Sequence, residues 1–169
     1  MALPTISVPT HELIIPSSKK KVKYRPFLVK EEKILLMAME SGDTKSMLTA
    51  MTKIIDSCIH GKQGSAKDLA LFDIEYIFLQ LRSKSVDEKT KVNFNCEKCS
   101  NEFPVTIDLS KVKVDFTGEI DNKIILQDDV GVIMKYPDIE VASKYSTEQT
   151  DIAINAESTF ELIVNCIEG

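Results

Sequence analysis

Between Lys91 and Val114 the sequence KVNFNCEKCSNEFPVTIDLSKVKV alternates apolar and polar residues on both sides of a cysteine pair. Val92 and Phe94 precede the pair; Phe103, Val105, Ile107 and Leu109 follow it. A period of two is the signature of a strand. The stretch therefore predicts an antiparallel hairpin with Cys96-Glu97-Lys98-Cys99 at its tip. Such a turn brings two sulfurs to one side, where both thiolates can bind a single zinc ion. Structural zinc takes four protein ligands, so Cys96 and Cys99 are expected to form a metal half-site. Zinc is the one cofactor this pattern suggests.

The other candidate ligands are Cys58, His60 and Cys166, and their spacing follows no finger or ribbon repeat. Three states of the pair stay open: zinc completed within the chain, zinc shared with a further segment or a second subunit, and a metal-free hairpin with free or oxidised thiols. A thioredoxin-like redox pair is disfavoured, because that motif opens a helix whose dipole lowers the thiol pKa. Here strands flank the pair.

Length and composition suit one domain with a buried core: 169 residues, of which 43% are hydrophobic and 28% charged. The net charge of −5 argues against non-specific nucleic-acid binding. No run approaches the roughly 20 apolar residues of a membrane-spanning helix, so no membrane partner is expected. MALPTISVPT lacks the charged start and apolar run of a signal peptide. A reducing compartment is expected, where four cysteines are thiols or metal ligands rather than disulfides.

The N-terminal segment, residues 1–26, carries Pro4, Pro9, Pro16 and Pro26 and cannot be helical, because each proline fixes φ and lacks a donor. Yet it holds Ile6, Val8, Leu13, Ile14 and Ile15. It is expected to be an extended arm, packed on its own domain or docked on a partner by strand addition. Those five residues are the candidate partner-binding set. The basic run KKKVKYR after it suits a lysine-protected strand edge better than a phosphate-binding patch.

Residues 27–88 read as helical. EEKILLMAME places Ile34, Leu35, Leu36 and Met39 at helical spacings, with Glu31 and Glu32 in the first turn, where the dipole favours them. Ser41-Gly42-Asp43 breaks that helix, and Asp43 N-caps the next. Met47, Met51, Ile54, Ile55 and Cys58 form the second helix's apolar stripe, with Gly61 as its stop. Cys58 has core spacing, and His60 that of a helix-end residue. GKQGSAK lacks the spacing of a phosphate loop. Asp68–Lys84 predicts a central helix with a broad apolar face. Asp73 and Glu75, two apart, point to different sides and make no acid–base pair.

Residues 89–136 are β-rich: the cysteine hairpin, a continuation over Val112–Phe116, a turn at Thr117-Gly118, and strands KIILQ and VGVIMKY joined by a turn at Asp128-Asp129. Residues 137–169 read as helices, Ile139–Tyr145 with Pro137 in its first turn and Ala156–Ile167, packing on the helical part. An apolar helix at the end of the sequence, with no solvating tail, suggests further chain beyond Gly169. The fold class is thus α+β, a helical domain with a small antiparallel β-subdomain built around the Cys-x-x-Cys hairpin. No nucleophile elbow, histidine-rich metal triad or glycine-rich phosphate cradle is present, and two histidines leave little for acid–base chemistry.

The order of the features is specific. A proline-rich apolar arm leads into YRPFLVKEEKILLMA, then LFDIEYIFLQLRSKS, then a Cys-x-x-Cys hairpin followed by VTIDLSKVKV. This order resembles the baseplate hub assembly proteins of T-even-type contractile-tailed phages, over Tyr24–Met39, Leu71–Ser85 and Cys96–Val112, and more loosely through GVIMKYP. The resemblance implies a non-enzymatic hub component or assembly chaperone whose partners are other baseplate hub proteins. It places the chain in the host cytoplasm during assembly and in the virion tail baseplate. It also implies a second cysteine-pair hairpin, which does not occur up to Gly169. Apolar helices at both ends of the chain predict self-association. The alternative from the residues alone is a zinc-ribbon-like nucleic-acid-binding module.

Overall fold

A computed structural model describes residues 8–61, 64–115, 121–127, 130–146 and 156–168. Ile6 and the turns expected at Thr117-Gly118 and Asp128-Asp129 lie outside the described residues.

The segment read as an arm folds back on itself. Strands β1 (His11–Ile14) and β2 (Lys21–Tyr24) pair antiparallel, with Leu13 opposite Val22. A short β3 (Ile59–His60) adds to the other side of β2, giving the order β1-β2-β3. The basic run is therefore a central strand, not an edge. Its lysines face solvent, where Lys21 and Lys23 pair with Glu12. Leu13, Ile15 and Tyr24 face inward and join the core.

Helix α1 (Val29–Ser41) ends at Gly42, whose φ of 65° is left-handed. Such a cap suits glycine because side-chain-bearing residues rarely adopt a positive φ. Asp43 caps α2 (Thr44–Cys58) as predicted, accepting from the Lys45 and Ser46 N–H groups. The end of α2 differs from expectation. It stops at Cys58 rather than running to Gly61, because Ile59 and His60 pair with β2 and Cys58 C=O accepts the Arg25 N–H at 3.0 Å. The sheet ladder competes successfully for the last backbone groups.

Helix α3 (Leu71–Ser85) starts later than Asp68. Ser65 caps a separate 3-10 turn, Ala66–Asp68, whose Asp68 carboxylate reaches back to the Ser65 N–H. Leu69 and Ala70 are then extended. The broad apolar face is central, as predicted: Ile74, Ile77 and Leu81 are fully buried against Ile54, Ile55 and Cys58 of α2 within one cluster.

The cysteine hairpin forms as β4 (Lys89–Asn95) and β5 (Glu102–Asp108), with Phe94 opposite Phe103. The strand expected at Val112–Phe116 is absent through Asp115. Asp108 instead caps a 3-10 turn, Leu109–Lys111, by accepting from Ser110. Leu109 is buried, and this turn is where the hairpin meets α3. Strands β6 (Lys123–Gln127) and β7 (Val130–Ile133) form a second hairpin.

Asp138 rather than Pro137 opens α4 (Ile139–Ser146), capping the Glu140 and Val141 N–H groups. Helix α4 lies against α2, with Ile139 in the core. Helix α5 (Ala156–Asn165) touches α4, and the residues after it continue alongside β7. The Lys135 N–H donates to Cys166 O at 2.7 Å and the Glu168 N–H to Ile133 O at 2.8 Å. The architecture is α+β, with helices around one core and small antiparallel sheets at its margins.

Candidate interaction surfaces and the cysteine hairpin

The four described arm residues separate by environment. Leu13 and Ile15 are spent on the core and are not available to a partner, because strand alternation turns both toward α2 and α3. Ile14, on the opposite face of β1, is exposed. Val8 is half-buried. Among the described residues no strand pairs with the outer edge of β1, so strand addition there is geometrically available.

Two buried carboxylates hold this region and were not legible as a set. Asp73 is fully buried on α3 and accepts both the backbone N–H of Ser17, at 3.0 Å, and its hydroxyl. It anchors the β1–β2 turn, where Lys19 adopts a left-handed φ of 56°. Glu31 is 1% exposed. It accepts the Leu28 N–H at 2.8 Å and the Arg25 guanidinium at 2.9 Å, and Lys30 lies at 3.3 Å. Burial pushes the Glu31 carboxyl up, but the Arg25 hydrogen bond, the Leu28 N–H, the Arg25 charge and Lys30 outweigh it. The net position is below the ordinary value of 4.5. Arg25 also donates to Ser57 O at 3.1 Å, so the pair locks β2, α1 and the end of α2 together.

The apolar surface is what the fold leaves unpartnered. On α1 only one stripe faces α2. Leu35 packs against the core and Ala38 is buried, while Val29, Leu36, Met37 and Met39 are all more than half exposed. The β6–β7 hairpin is more extreme: every described residue of β6 is exposed. Ile125 is 78% and Leu126 63% exposed, although successive side chains point to opposite faces. β6 also has an open edge, since β7 is its only partner strand among the described residues. Val130 on β7, and Phe160 and Val164 on α5, are also more than half exposed. Scattered surface leucines need no explanation, but contiguous apolar elements mark interaction sites.

The candidate metal ligands do not assemble into a set of three or more. Cys58 lies in the core, where burial pushes its thiol up to about 11. Cys166 is buried beside β7, and burial raises its thiol as well. His60 is exposed on β3. Among the described residues no group of three or more His, Cys, Asp or Glu side chains has metal-holding geometry. Cys96 and Cys99 stand at the hairpin tip, half-buried and exposed respectively. The Cys96 sulfur accepts the N–H groups of Lys98 and Cys99 and the Cys99 thiol, which lowers its pKa.

These surfaces belong to a chain whose sequence matches a known family along nearly its whole length. The model described as "T4 bacteriophage base plate protein" matches residues 8–169. The chain belongs to this base plate family. No curated protein and no solved structure gives a significant match. Base plate proteins work as parts of a multiprotein assembly in the phage tail, so the chain's partners are other base plate proteins. Exposed apolar elements are the expected currency of such contacts. The nucleic-acid alternative gains nothing from this membership, and two lysines of the basic run are already engaged by Glu12. Among the described residues no helix is long and apolar enough to cross a membrane.

Proposed function

We propose that this base plate protein is a non-enzymatic component or assembly chaperone of the baseplate hub, joining hub proteins in the host cytoplasm before or as they enter the tail. The observation that carries this reading is the β6–β7 hairpin. A two-stranded hairpin with apolar side chains on both faces is marginal alone in water. An open, apolar edge strand is a liability that soluble proteins normally block with charge or cover. β6 carries Lys123 at one end and is otherwise IILQ, so the hairpin suits a surface that another protein buries. The edge of β1 that is unpaired among the described residues, with Ile14 beside it, offers a second strand-addition site.

Co-expression with the hub proteins of the same phage tests the reading. Ile125→Asp combined with Leu126→Asp should lower hub-protein recovery at least about tenfold, as loss of a central apolar anchor does, with an unchanged circular dichroism spectrum. Recovery equal to that of the unsubstituted chain would overturn the proposal.

A further inference from the structure

A groove of about 610 Å³ opens between the β1–β2 hairpin, the end of α2 and the 3-10 turn at Ala66–Asp68. Ile15, Val22, Ile55, Ile59, Ala66 and Leu69 give it an apolar lining. Ile15, Ile55 and Ala66 form a buried floor, while Lys20, Asp56 and Ser57 stand exposed at the rim. The volume falls within the roughly 300–1,000 Å³ of clefts that bind ligands, which combine an apolar lining with a few polar groups.

One wall of the groove is a strand edge. The Ile15 N–H donates to Lys20 O at 2.8 Å and the Arg25 N–H to Cys58 O at 3.0 Å. Backbone groups along an antiparallel strand turn alternately to its two neighbours. Even-numbered residues of this stretch therefore bond toward β1 and odd-numbered ones toward β3. β3 covers only Lys23 and Tyr24. It ends at His60, and Gly61 leaves the ladder with a left-handed φ of 83°. The N–H and C=O of Lys21 thus point past the end of β3, where no strand pairs with them among the described residues. A segment added there would hydrogen-bond to Lys21 and set alternate side chains over the groove.

The unengaged charge around the groove is positive. The Asp56 carboxylate is taken up internally, accepting the Ala66 N–H at 2.7 Å and the Ser65 hydroxyl at 3.3 Å. Lys21 and Lys23 pair with Glu12 on the opposite face of the sheet. Lys20 lies on the groove side with Val22 and makes no ion pair among the described residues. Exposed Lys53, one turn before Ser57, and Lys67, next to Ala66, make none there either. Such a rim is complementary to a carboxylate.

We propose that this groove receives an extended segment of a hub protein, paired with β2 at Lys21, with an apolar side chain over Val22 and, two residues on, a carboxylate beside Lys20. Residues two apart share one face of a strand, so a single short segment supplies both groups. The proposal deepens the hub reading and rests on it for the source of the segment.

The test places the photo-cross-linking residue p-benzoylphenylalanine at Ser57 in the full chain, co-expressed with the hub proteins of the same phage, and maps the cross-links by mass spectrometry. The same residue at Met37 on α1 reports association through another face. Expected from position 57 is a cross-link to one hub-protein segment in which an acid stands two residues from an apolar residue. Lys20→Glu should lower its yield at least about fivefold through like-charge repulsion. Lys20→Arg should keep the yield, and neither change should alter the cross-links from position 37. The proposal would be overturned by cross-links from position 57 that stay within this chain, reach only a second copy, or reach segments without that acid. Unchanged yield in Lys20→Glu would overturn it as well. Cross-links from position 37 with none from position 57 would overturn it and leave the hub reading standing, whereas none from either position would overturn both.

Discussion

At the scale of single residues, the stability of this fold rests on polar groups that sequence reasoning discards or reads too simply. Asp73 looks like a surface carboxylate two positions from Glu75, yet it is the buried anchor of a turn 56 residues away in sequence. Nothing in the local pattern around Asp73 says that Ser17 will reach it. Asp73→Ala strands the Ser17 donors and should cost about 2–3 kcal/mol in chemical unfolding, in line with losing two hydrogen bonds to one buried side chain. Glu31 is legible as a first-turn acid but not as a core residue, because its burial depends on Arg25 arriving from β2. Arg25→Ala should cost about 3 kcal/mol, the low end for a broken buried pair, since Lys30 remains 3.3 Å away. The carboxyl of Glu31 lies below its ordinary value in the folded state. Its contribution is therefore fully present above pH 4.5 and is lost as pH falls through the folded value. Glu31→Gln should be less stable than the parent at pH 7, and the difference should shrink as acid titration passes below pH 4.5.

At the scale of elements, periodicity located helices and strands well and their ends poorly. α2 and α3 could be read because apolar spacing over three to four turns is a strong signal. Their ends could not, because the deciding partners are remote: β2 takes Ile59 and His60 from the end of α2, and Ser65 takes Asp68 from the start of α3. The same limit explains the arm, where prolines correctly excluded a helix but could not reveal that β1 packs its own Leu13 and Ile15 inside. Buried and exposed apolar faces should respond differently to truncation. Ile77→Ala on α3 should cost about 3 kcal/mol through the cavity it leaves, whereas Met37→Ala on α1, at 62% exposure, should change stability by less than about 0.5 kcal/mol. In β7 a Cβ at Gly131 would lie 2.9 Å from the backbone oxygen of Ile124. Gly131→Ala should therefore loosen the β6–β7 hairpin by about 1–3 kcal/mol, seen as faster amide exchange in Lys123–Gln127 with little change in α3.

For the whole molecule, the arrangement is a buried helical centre with apolar margins. The α+β class and the base plate family were both legible, the first from the change of period at the cysteine hairpin and the second from the order of features along the chain. Which apolar residues face outward was not legible, since Leu36 and Ile77 look alike in sequence and only the packing of α1 on α2 separates them. The central claim is that α1 and the β6–β7 hairpin, exposed in the free chain, are covered by hub proteins. Oxidative footprinting by mass spectrometry measures this directly, because Met37, Met39, Ile125 and Leu126 are reactive when solvent reaches them. The account predicts that their oxidation falls several-fold between the free chain and the hub-bound chain, while exposed residues of the β4–β5 hairpin serve as a comparison. Equal oxidation of all four residues in the free and hub-bound chain would contradict it.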